Sequence, residues 1–108
     1  MKNNQQTIDA KEVFDRIAPS WYNFRHRSIF RRELESLARR WQGGSLLNIG
    51  CAHGPDFLPF ASNFDLTGID FSTQMVKLAG KYSRKFGFAA KLLLADARQL
   101  PFADGVFD

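Results

Sequence analysis

Three groups of residues in this chain could together bind a nucleoside-bearing ligand. The first is the turn Gly50-Cys51-Ala52-His53-Gly54, whose small residues let a ligand approach the bare backbone. Asp70 follows twenty residues after Gly50, and a carboxylate at that distance can accept hydrogen bonds from both hydroxyls of a ribose. Asp96 could accept a hydrogen bond from an exocyclic amino group such as that of adenine. Each feature alone has a plainer interpretation, as a packing turn, a helix cap or a turn residue, but their combination indicates a nucleoside site.

Each of these groups follows a short, mostly apolar run that predicts a β-strand. The runs are Leu46–Ile49, Phe64–Ile69 and Ala90–Leu94. Strands of this composition are typical of a parallel sheet that is covered on both faces. Ligands of such sheets bind outside the carboxyl ends of the strands, so the three groups are expected to converge there.

The segments between these strands predict helices. One short helix begins at Pro55 and contains Pro59, and a longer one is capped by Ser72 and ended by Gly87. Because such crossovers are right-handed, the alternation predicts an α/β, Rossmann-like doubly wound parallel sheet in the order 3-2-1 with helices on both faces. Val106–Asp108 is expected to open a fourth strand, which leaves the fold incomplete.

Residues 1–44 predict a helical segment that precedes the sheet, and residues 45–108 the sheet itself. Asp9 is expected to cap a helix over residues 10–17, which Pro19 ends because proline disfavours helix in the residue before it. Ser28 is expected to cap a second helix that stops at the two glycines of residues 43–44.

The positive charge of the chain is confined to this first segment. The formal net charge of the whole chain is +4, and residues 1–44 carry nine Lys and Arg against five Asp and Glu, whereas residues 45–108 carry six of each. Such a block indicates an anionic partner such as nucleic acid. A solvated helix face is the alternative, since Glu33 and Glu35 lie among the arginines, which are Arg25, Arg27, Arg31, Arg32, Arg39 and Arg40.

Composition excludes several classes of protein. Hydrophobic residues make up 44% of the 108 residues, which is too many for intrinsic disorder, and no apolar run approaches the roughly 20 residues of a membrane span. The start of the chain does not resemble a secretory signal, so we expect a cytoplasmic protein.

Cys51 is the single cysteine and has no base beside it in the sequence, which argues against a disulfide framework, a multi-thiolate zinc site or a nucleophilic role. His26 and His53 lack metal-ligand spacing, and no metal site is expected.

The turn does not fit the fingerprint of a dinucleotide cofactor. In G-x-G-x-x-G counted from Gly50, Ala52 stands at the second glycine and Pro55 at the third. The turn is better suited to a ligand that ends in an amino acid than to a pyrophosphate. The cofactor half of an NAD-dependent oxidoreductase stays open as an alternative.

Four blocks of sequence match the motifs of one family in order and spacing. Residues 46–54 read LLNIGCAHG, residues 68–75 read GIDFSTQM, residues 95–102 read ADARQLPF, and the chain ends in Phe107-Asp108. The first two blocks resemble the motifs L-L-D-I-G-C-G-x-G and G-x-D-x-S-x-x-M of the class I S-adenosylmethionine-dependent methyltransferases, and the others resemble the third motif and the start of the fourth. The resemblance runs from about residue 45 to the end.

The resemblance implies S-adenosylmethionine as the cofactor and the following cofactor-binding residues. The turn would face the methionine part with Gly50, Cys51, Ala52 and Gly54. Asp70 would bind the ribose, and the adenine would meet Phe71, Met75, Asp96 and Ala97. Asn48 replaces the usual acidic residue and Ala52 replaces the middle glycine, and either change is expected to weaken cofactor binding. No catalytic residue is implied.

Within the first segment, residues 13–19 read VFDRIAP and are followed by Tyr22 and Arg25. This stretch is similar to the leader of methyltransferases of the ubiquinone-biosynthesis type (type 11) and of the tRNA wobble-uridine methyltransferases. In both, this leader covers the cofactor site as a partial lid, which implies that Tyr22 and Arg25 contact the cofactor. Core packing of Tyr22 and solvation of Arg25 are the alternatives. The methyl acceptor is expected to be an RNA or a small molecule, and the basic charge favours RNA.

A full domain of this family has seven strands, so we expect these residues to be its N-terminal half and to be inactive alone. The open sheet edge is expected to be covered by a second copy of the chain, in a dimer, or by a partner protein. A degenerate, non-enzymatic methyltransferase-like module is a further alternative. No membrane partner is expected.

Overall fold

A computed structural model describes residues 2–108, with side chains described from residue 10 onward. Its elements in chain order are α1 (Lys2–Phe24), α2 (Arg31–Trp41), β1 (Gly44–Ile49), a 3-10 helix (Pro55–Phe60), β2 (Phe64–Asp70), α3 (Thr73–Phe86) and β3 (Lys91–Leu94). No helix in this described part is both long enough and apolar enough to cross a bilayer.

The three strands form one parallel sheet in the order β1-β2-β3. Leu46 lies opposite Leu66, and Gly68 lies opposite Leu92, so β2 is the central strand. The predicted Rossmann-like sheet and its strand order are therefore confirmed. All three strands end at the same edge, which brings the segments that follow them together.

One buried hydrophobic cluster joins the sheet to the 3-10 helix. Phe57 and Phe60 of the 3-10 helix pack with Cys51 and Leu66 in a buried cluster. Partly buried residues of other elements surround this cluster, among them Leu34 and Leu37 of α2, Leu46 of β1 and Leu92 of β3. Gly68 is needed here, because a Cβ on it would lie 2.7 Å from the Phe57 ring and 3.0 Å from the Cys51 sulfur.

The caps of α3 agree with the prediction. The Ser72 hydroxyl accepts a hydrogen bond from the Met75 N–H at 3.2 Å, which satisfies one of the free donors at the helix start. Gly87 ends the helix in the left-handed conformation, with φ of 73°. The short helix that begins at Pro55 and contains Pro59 is also present, as a 3-10 helix.

The prediction that Pro19 ends the first helix is wrong. Helix α1 begins at Lys2, continues through Pro19 and ends at Phe24. Proline inside a helix costs about 3 kcal/mol. Tertiary packing offsets this cost, because α1 packs along α3 and buries Ala18 and Tyr22, which flank the proline. Asp9 therefore lies within the helix and not at its start, and its side chain lies outside the described residues.

Ser28 does not cap α2, contrary to the prediction. The N-cap residue is Phe30, which makes no side-chain cap bond. The Ser28 hydroxyl instead accepts a hydrogen bond from the Phe30 N–H at 3.0 Å, and this turn precedes the helix. The helix ends near the predicted glycines, with Gln42 in the left-handed conformation.

Beyond β3 the chain returns across the sheet. The Ala95 N–H bonds to the Asp70 carbonyl at the carboxyl end of β2, and the Asp108 N–H bonds to the Ser45 carbonyl at the start of β1. Residues 95–107 make this return in turns and bends. The predicted fourth strand is not formed as a strand, although Asp108 lies beside β1, where such a strand would pair.

Candidate functional site

Asp70 joins the three strand ends. Its carboxylate accepts a hydrogen bond from the Ala52 N–H in the turn after β1, at 2.9 Å. Its carbonyl accepts the Ala95 N–H after β3, at 3.0 Å, which places Asp96 one residue away. The predicted convergence of the turn, Asp70 and the segment of Asp96 is thus present in the backbone.

The turn after β1 exposes its backbone to the space outside the carboxyl ends of the three strands, which we call the crevice. Gly50 has φ of 70°, and a Cβ on it would have no atom within 4 Å, so the space in front of it is open. Ala52 has φ of 51°, a left-handed conformation that costs a residue with a Cβ about 1 kcal/mol. Gly54 is also left-handed, at φ of 93°, and there glycine avoids this cost. The alanine in place of the middle glycine therefore strains the turn.

The Asp70 carboxylate is buried and oriented from two sides. The Ser72 N–H donates to Oδ1 and the Ala52 N–H donates to Oδ2, both at 2.9 Å. The residue is 8% exposed, and each carboxylate oxygen retains a free lone pair. The carboxylate can therefore accept two further hydrogen bonds, as a ribose diol requires.

Asp15 extends this network to α1, and no pattern in the sequence indicates that role. Its Oδ1 accepts the Ser72 hydroxyl at 2.5 Å and the Gln74 N–H at 3.2 Å. The Ser72 hydrogen bond is the main reason why the pKa of Asp15 lies below its ordinary value of 3.8. A continuous chain of hydrogen bonds thus runs from α1 through Ser72 and Asp70 to the turn.

Cys51 faces the core and not the crevice. Its side chain is buried beside Gly68, and its N–H donates to the Ile69 carbonyl at 2.9 Å. Burial and, secondly, the Asp70 carboxylate raise the pKa of its thiol to about 12. The thiolate form is suppressed at neutral pH, which argues against a nucleophilic role. Only the backbone of Cys51 can serve a ligand in the crevice.

Asp96 is bound to a neighbouring arginine. Both of its oxygens accept from the Arg98 guanidinium, at 2.6–3.1 Å, and the Arg98 N–H adds a further bond. These hydrogen bonds lower the pKa of Asp96 to about 2. Ala97 beside it is exposed. The structure thus places Asp96 near the strand ends with its carboxylate directed to Arg98.

Two further predicted residues begin the segment after β2. Phe71 is half-buried and meets the Phe14 ring of α1 edge-on, at 5.6 Å between ring centres. Met75 is buried in the first turn of α3, with 1% of its surface exposed. Phe71 can still present its ring to a ligand, whereas Met75 contributes to the packing beneath.

Tyr22 packs in the core, which is the alternative to the predicted contact with the cofactor. Its ring lies edge-on to the rings of Tyr82 and His53, at 6.4 and 5.9 Å. Arg25 is exposed, and its guanidinium stacks over Trp21 at 4.5 Å. Only Arg25 of this pair is accessible to a ligand in the crevice.

His53 has a role that the sequence pattern did not indicate. Its side chain is buried, and its Nε2 donates to the Arg25 carbonyl at 2.5 Å, so it connects the turn to the end of α1. Its Nδ1 is buried without a hydrogen-bond partner. Burial is the main reason why the pKa of His53 lies below its ordinary value of 6.5. No group of His, Cys, Asp and Glu in the described residues is arranged to hold a metal ion.

A cavity of about 220 Å³ lies between the turn and the segment that follows α1. Gly50, Cys51 and Ala52 line one wall, and Trp21 and Arg25 line the other. The volume lies below the range of about 300–1,000 Å³ for whole-ligand pockets. The cavity therefore suits one end of an elongated ligand whose remainder extends along the strand ends towards Asp70.

Comparisons with known proteins find similar sequences and similar structures. A family model described as "Methyltransferase domain" matches residues 46–108. The chain is 32% identical to the ubiquinone/menaquinone biosynthesis C-methyltransferase UbiE of Geotalea uraniireducens, in an alignment that covers 91% of this chain and 47% of that protein. These relatives match most of this chain, and the chain spans about half of their length.

Solved structures show the same fold. The crystal structure of the PH0226 protein of Pyrococcus horikoshii matches with a TM-score of 0.65 and 27% identity, over 82% of this chain and 48% of that one. A coclaurine N-methyltransferase bound to N-methylheliamine and S-adenosylhomocysteine matches with a TM-score of 0.57 and 25% identity, over 67% and 23%.

Proposed function

The chain belongs to the methyltransferase domain family, the class I S-adenosylmethionine-dependent methyltransferases, and from that premise we propose that its strand ends hold this cofactor for methyl transfer to an RNA or small-molecule acceptor. The observation that carries the proposal is the environment of Asp70. One carboxylate, oriented by the turn after β1 and by Ser72, lies at the centre of three converging strand ends.

The residues of the turn fit the amino-acid end of the cofactor. The open backbone at Gly50 and the small Ala52 line the 220 Å³ cavity, and Arg25 on the opposite wall offers a cation to a carboxylate. The two free lone pairs of Asp70 fit the hydroxyls of the ribose.

The adenine end would meet Phe71 and the segment of Asp96 and Ala97. Asp96 would exchange its Arg98 partner for the adenine amino group, and it can do so because the ion pair is exposed to water. Met75 would support the ring from below through the packing of α3.

When bound, S-adenosylmethionine supplies a methyl group on a positively charged sulfur, which a nucleophilic atom of the acceptor takes while the sulfur keeps the bonding electron pair. The contribution of this chain is to orient the reactants and exclude water. In this proposal Asp70 binds the ribose and Asp96 the adenine of the cofactor, so neither carboxylate is left to take a proton from an acceptor. We therefore expect the 108-residue chain to bind the cofactor without turnover.

An NAD-dependent oxidoreductase is not favoured. Pro55, at the third glycine position, begins the 3-10 helix that packs on the sheet, and it has no N–H to offer to a pyrophosphate. The family match points away from dinucleotide binding as well.

Isothermal titration calorimetry with S-adenosylhomocysteine tests the proposal on the full chain. Asp70→Asn is expected to weaken binding about tenfold or more, since hydrogen bonds to a charged group contribute about 1.5–3 kcal/mol. Asp65→Asn, at an exposed position of the same strand, is the matched control and is expected to bind like the unmodified chain. Ala52→Gly is expected to tighten binding by removing the methyl group from the ligand's approach to the backbone.

Circular dichroism checks that each variant is folded, and NAD is titrated in parallel. Equal effects of the Asp70 and Asp65 substitutions, or binding of NAD in preference to S-adenosylhomocysteine, would contradict the proposal.

A further inference from the structure

The segment between α1 and α2 exposes large apolar side chains that no part of the described core uses. We define residues 24–32 as the arginine rim. Phe24 is 85% exposed, Ile29 78% and Phe30 58%. Scattered apolar residues are ordinary on a surface, but three within seven residues of one connecting segment form a patch that suits a partner.

The arginines of this rim are almost free of acidic partners. Of its four, only Arg31 has a carboxylate within ion-pair distance among the described side chains, that of Glu35 at 3.0 Å. Arg25 stacks on an aromatic ring, and Arg27 and Arg32 are exposed. The rim therefore presents guanidinium groups alternating with aromatic rings.

The rim also borders the proposed cofactor site. Arg27, Ile29 and Phe30 line the 220 Å³ cavity opposite Gly50 and Ala52. A molecule bound on the rim would have one part at the mouth of the cavity that faces the cofactor turn.

From these observations we infer that the arginine rim binds single-stranded RNA and presents one unpaired base at the mouth of the cavity, next to the end of the cofactor that the cavity would hold. Aromatic side chains stack on bases of any sequence, and guanidinium groups contact the phosphates between them. This inference rests on the proposed function and names the class of acceptor for it.

A bilayer surface is the competing partner for a basic and aromatic segment, and the packing of α2 argues against it. Binding in the plane of a membrane needs a helix with a free apolar face. Leu34, Leu37 and Ala38 form the apolar face of α2, and all three pack against the core cluster. Residues 25–30 of the rim are not helical.

Fluorescence anisotropy with a labelled single-stranded RNA of about twelve nucleotides tests the inference on the full chain. Phe24→Ala and Phe30→Ala are each expected to weaken binding about tenfold, the loss of one stacked base. Arg27→Ala is expected to lower the slope of log K against log salt by about 0.7, the loss of one phosphate contact. Arg39→Ala, near the other end of α2, is the matched control and is expected to change the affinity much less than Arg27→Ala.

Calorimetry with S-adenosylhomocysteine and sedimentation with phosphatidylserine vesicles are run on the same samples. A chain that binds S-adenosylhomocysteine but not RNA overturns the rim inference and leaves the proposed function intact. Binding to vesicles without binding to RNA overturns it in favour of a membrane partner. RNA binding that the Phe24 and Phe30 substitutions leave unchanged overturns it as well. A chain that binds neither RNA nor S-adenosylhomocysteine contradicts both proposals.

Discussion

His53 makes the connection between α1 and the turn sensitive to pH. The ring is buried between Tyr22 and Tyr82. Its Nδ1 has no hydrogen-bond partner, so an N–H at this position would have no acceptor. A positive charge on this ring is therefore disfavoured in the folded chain. The pKa of His53 in the folded state lies below the ordinary value of 6.5 for this reason.

We expect the free energy of unfolding to fall as the pH drops below 6.5. With a lowered folded-state pKa, the neutral imidazole stabilises the fold above the unfolded pKa, and that contribution is lost as pH falls through the folded value. Urea unfolding at pH 7.5, 6.5 and 5.5, values chosen around the ordinary histidine pKa of about 6.5, measures the effect. His53→Gln should remove this component, whereas His26→Gln, at an exposed position, should keep it. An unchanged pH dependence in the His53 variant would show that the ring does not control it.

Single residues of the site were predictable from the sequence to different degrees. Spacing after apolar runs was sufficient to find the turn and Asp70, because the backbone of a parallel sheet dictates where strand ends lie. The direction of a side chain depends on its neighbours in space. Cys51 turns inward because Gly68 leaves room for it, and Asp96 turns to Arg98, and neither contact follows from a motif.

At the scale of elements, α3 shows how two glycines in one segment can have opposite effects. Gly87 ends the helix at φ of 73°, where a side chain is strained. Gly80 lies inside the helix, and a Cβ on it would meet only the mobile end of Arg84, at 3.3 Å. Glycine is therefore required at the first position and costs stability at the second.

We expect Gly80→Ala to stabilise the chain by about 0.5–1 kcal/mol, the difference in helix propensity between the two residues. Gly87→Ala should destabilise it by about 1 kcal/mol, because alanine must adopt the left-handed conformation. Thermal unfolding followed by circular dichroism compares the two variants. Shifts of the same sign would contradict this assignment.

Local sequence signals were sufficient to predict both ends of α3, since its capping serine and its terminal glycine act as the sequence indicates. They failed for α1, because the burial of Ala18 and Tyr22 against α3 outweighs the preference of Pro19, and a local pattern contains no information about that contact. The second helix lies between these cases, since Ser28 forms a turn one step before the helix begins.

For the molecule as a whole, one edge of β1 has no strand paired with it in the described residues, apart from the hydrogen bonds of Ser45 with Asp108. A cavity of about 720 Å³ runs along this edge, and Leu37, Trp41, Leu47 and Phe107 are among its lining residues. Unpaired strand edges with apolar surroundings promote association. We propose that a second copy of the chain covers this edge when no other partner does.

We therefore expect the chain to associate as its concentration rises. Sedimentation equilibrium should show a mass that increases from that of the monomer towards twice that value. Leu47→Lys on the edge should suppress this association, and Leu100→Lys, at an exposed loop position, should not. A monomer mass at all concentrations would contradict the proposal.

The order and direction of the strands were predictable from the sequence, because alternating apolar runs and helices leave few arrangements for a right-handed parallel sheet. The packing of α1 on α3 was not predictable from the sequence, because it depends on the hydrogen bonds of Asp15 and on the ring contacts of Tyr22.

The two tryptophans of the chain line two different cavities. Trp21 lines the small cavity beside the turn, whereas Trp41 stacks on Phe60 and lines the large cavity along β1. Intrinsic tryptophan emission can thus separate two events without any added dye. Each tryptophan is observed alone in a variant in which the other is replaced by phenylalanine. Quenching of Trp21 would report ligand binding in the crevice, and a spectral shift of Trp41 would report association at the sheet edge.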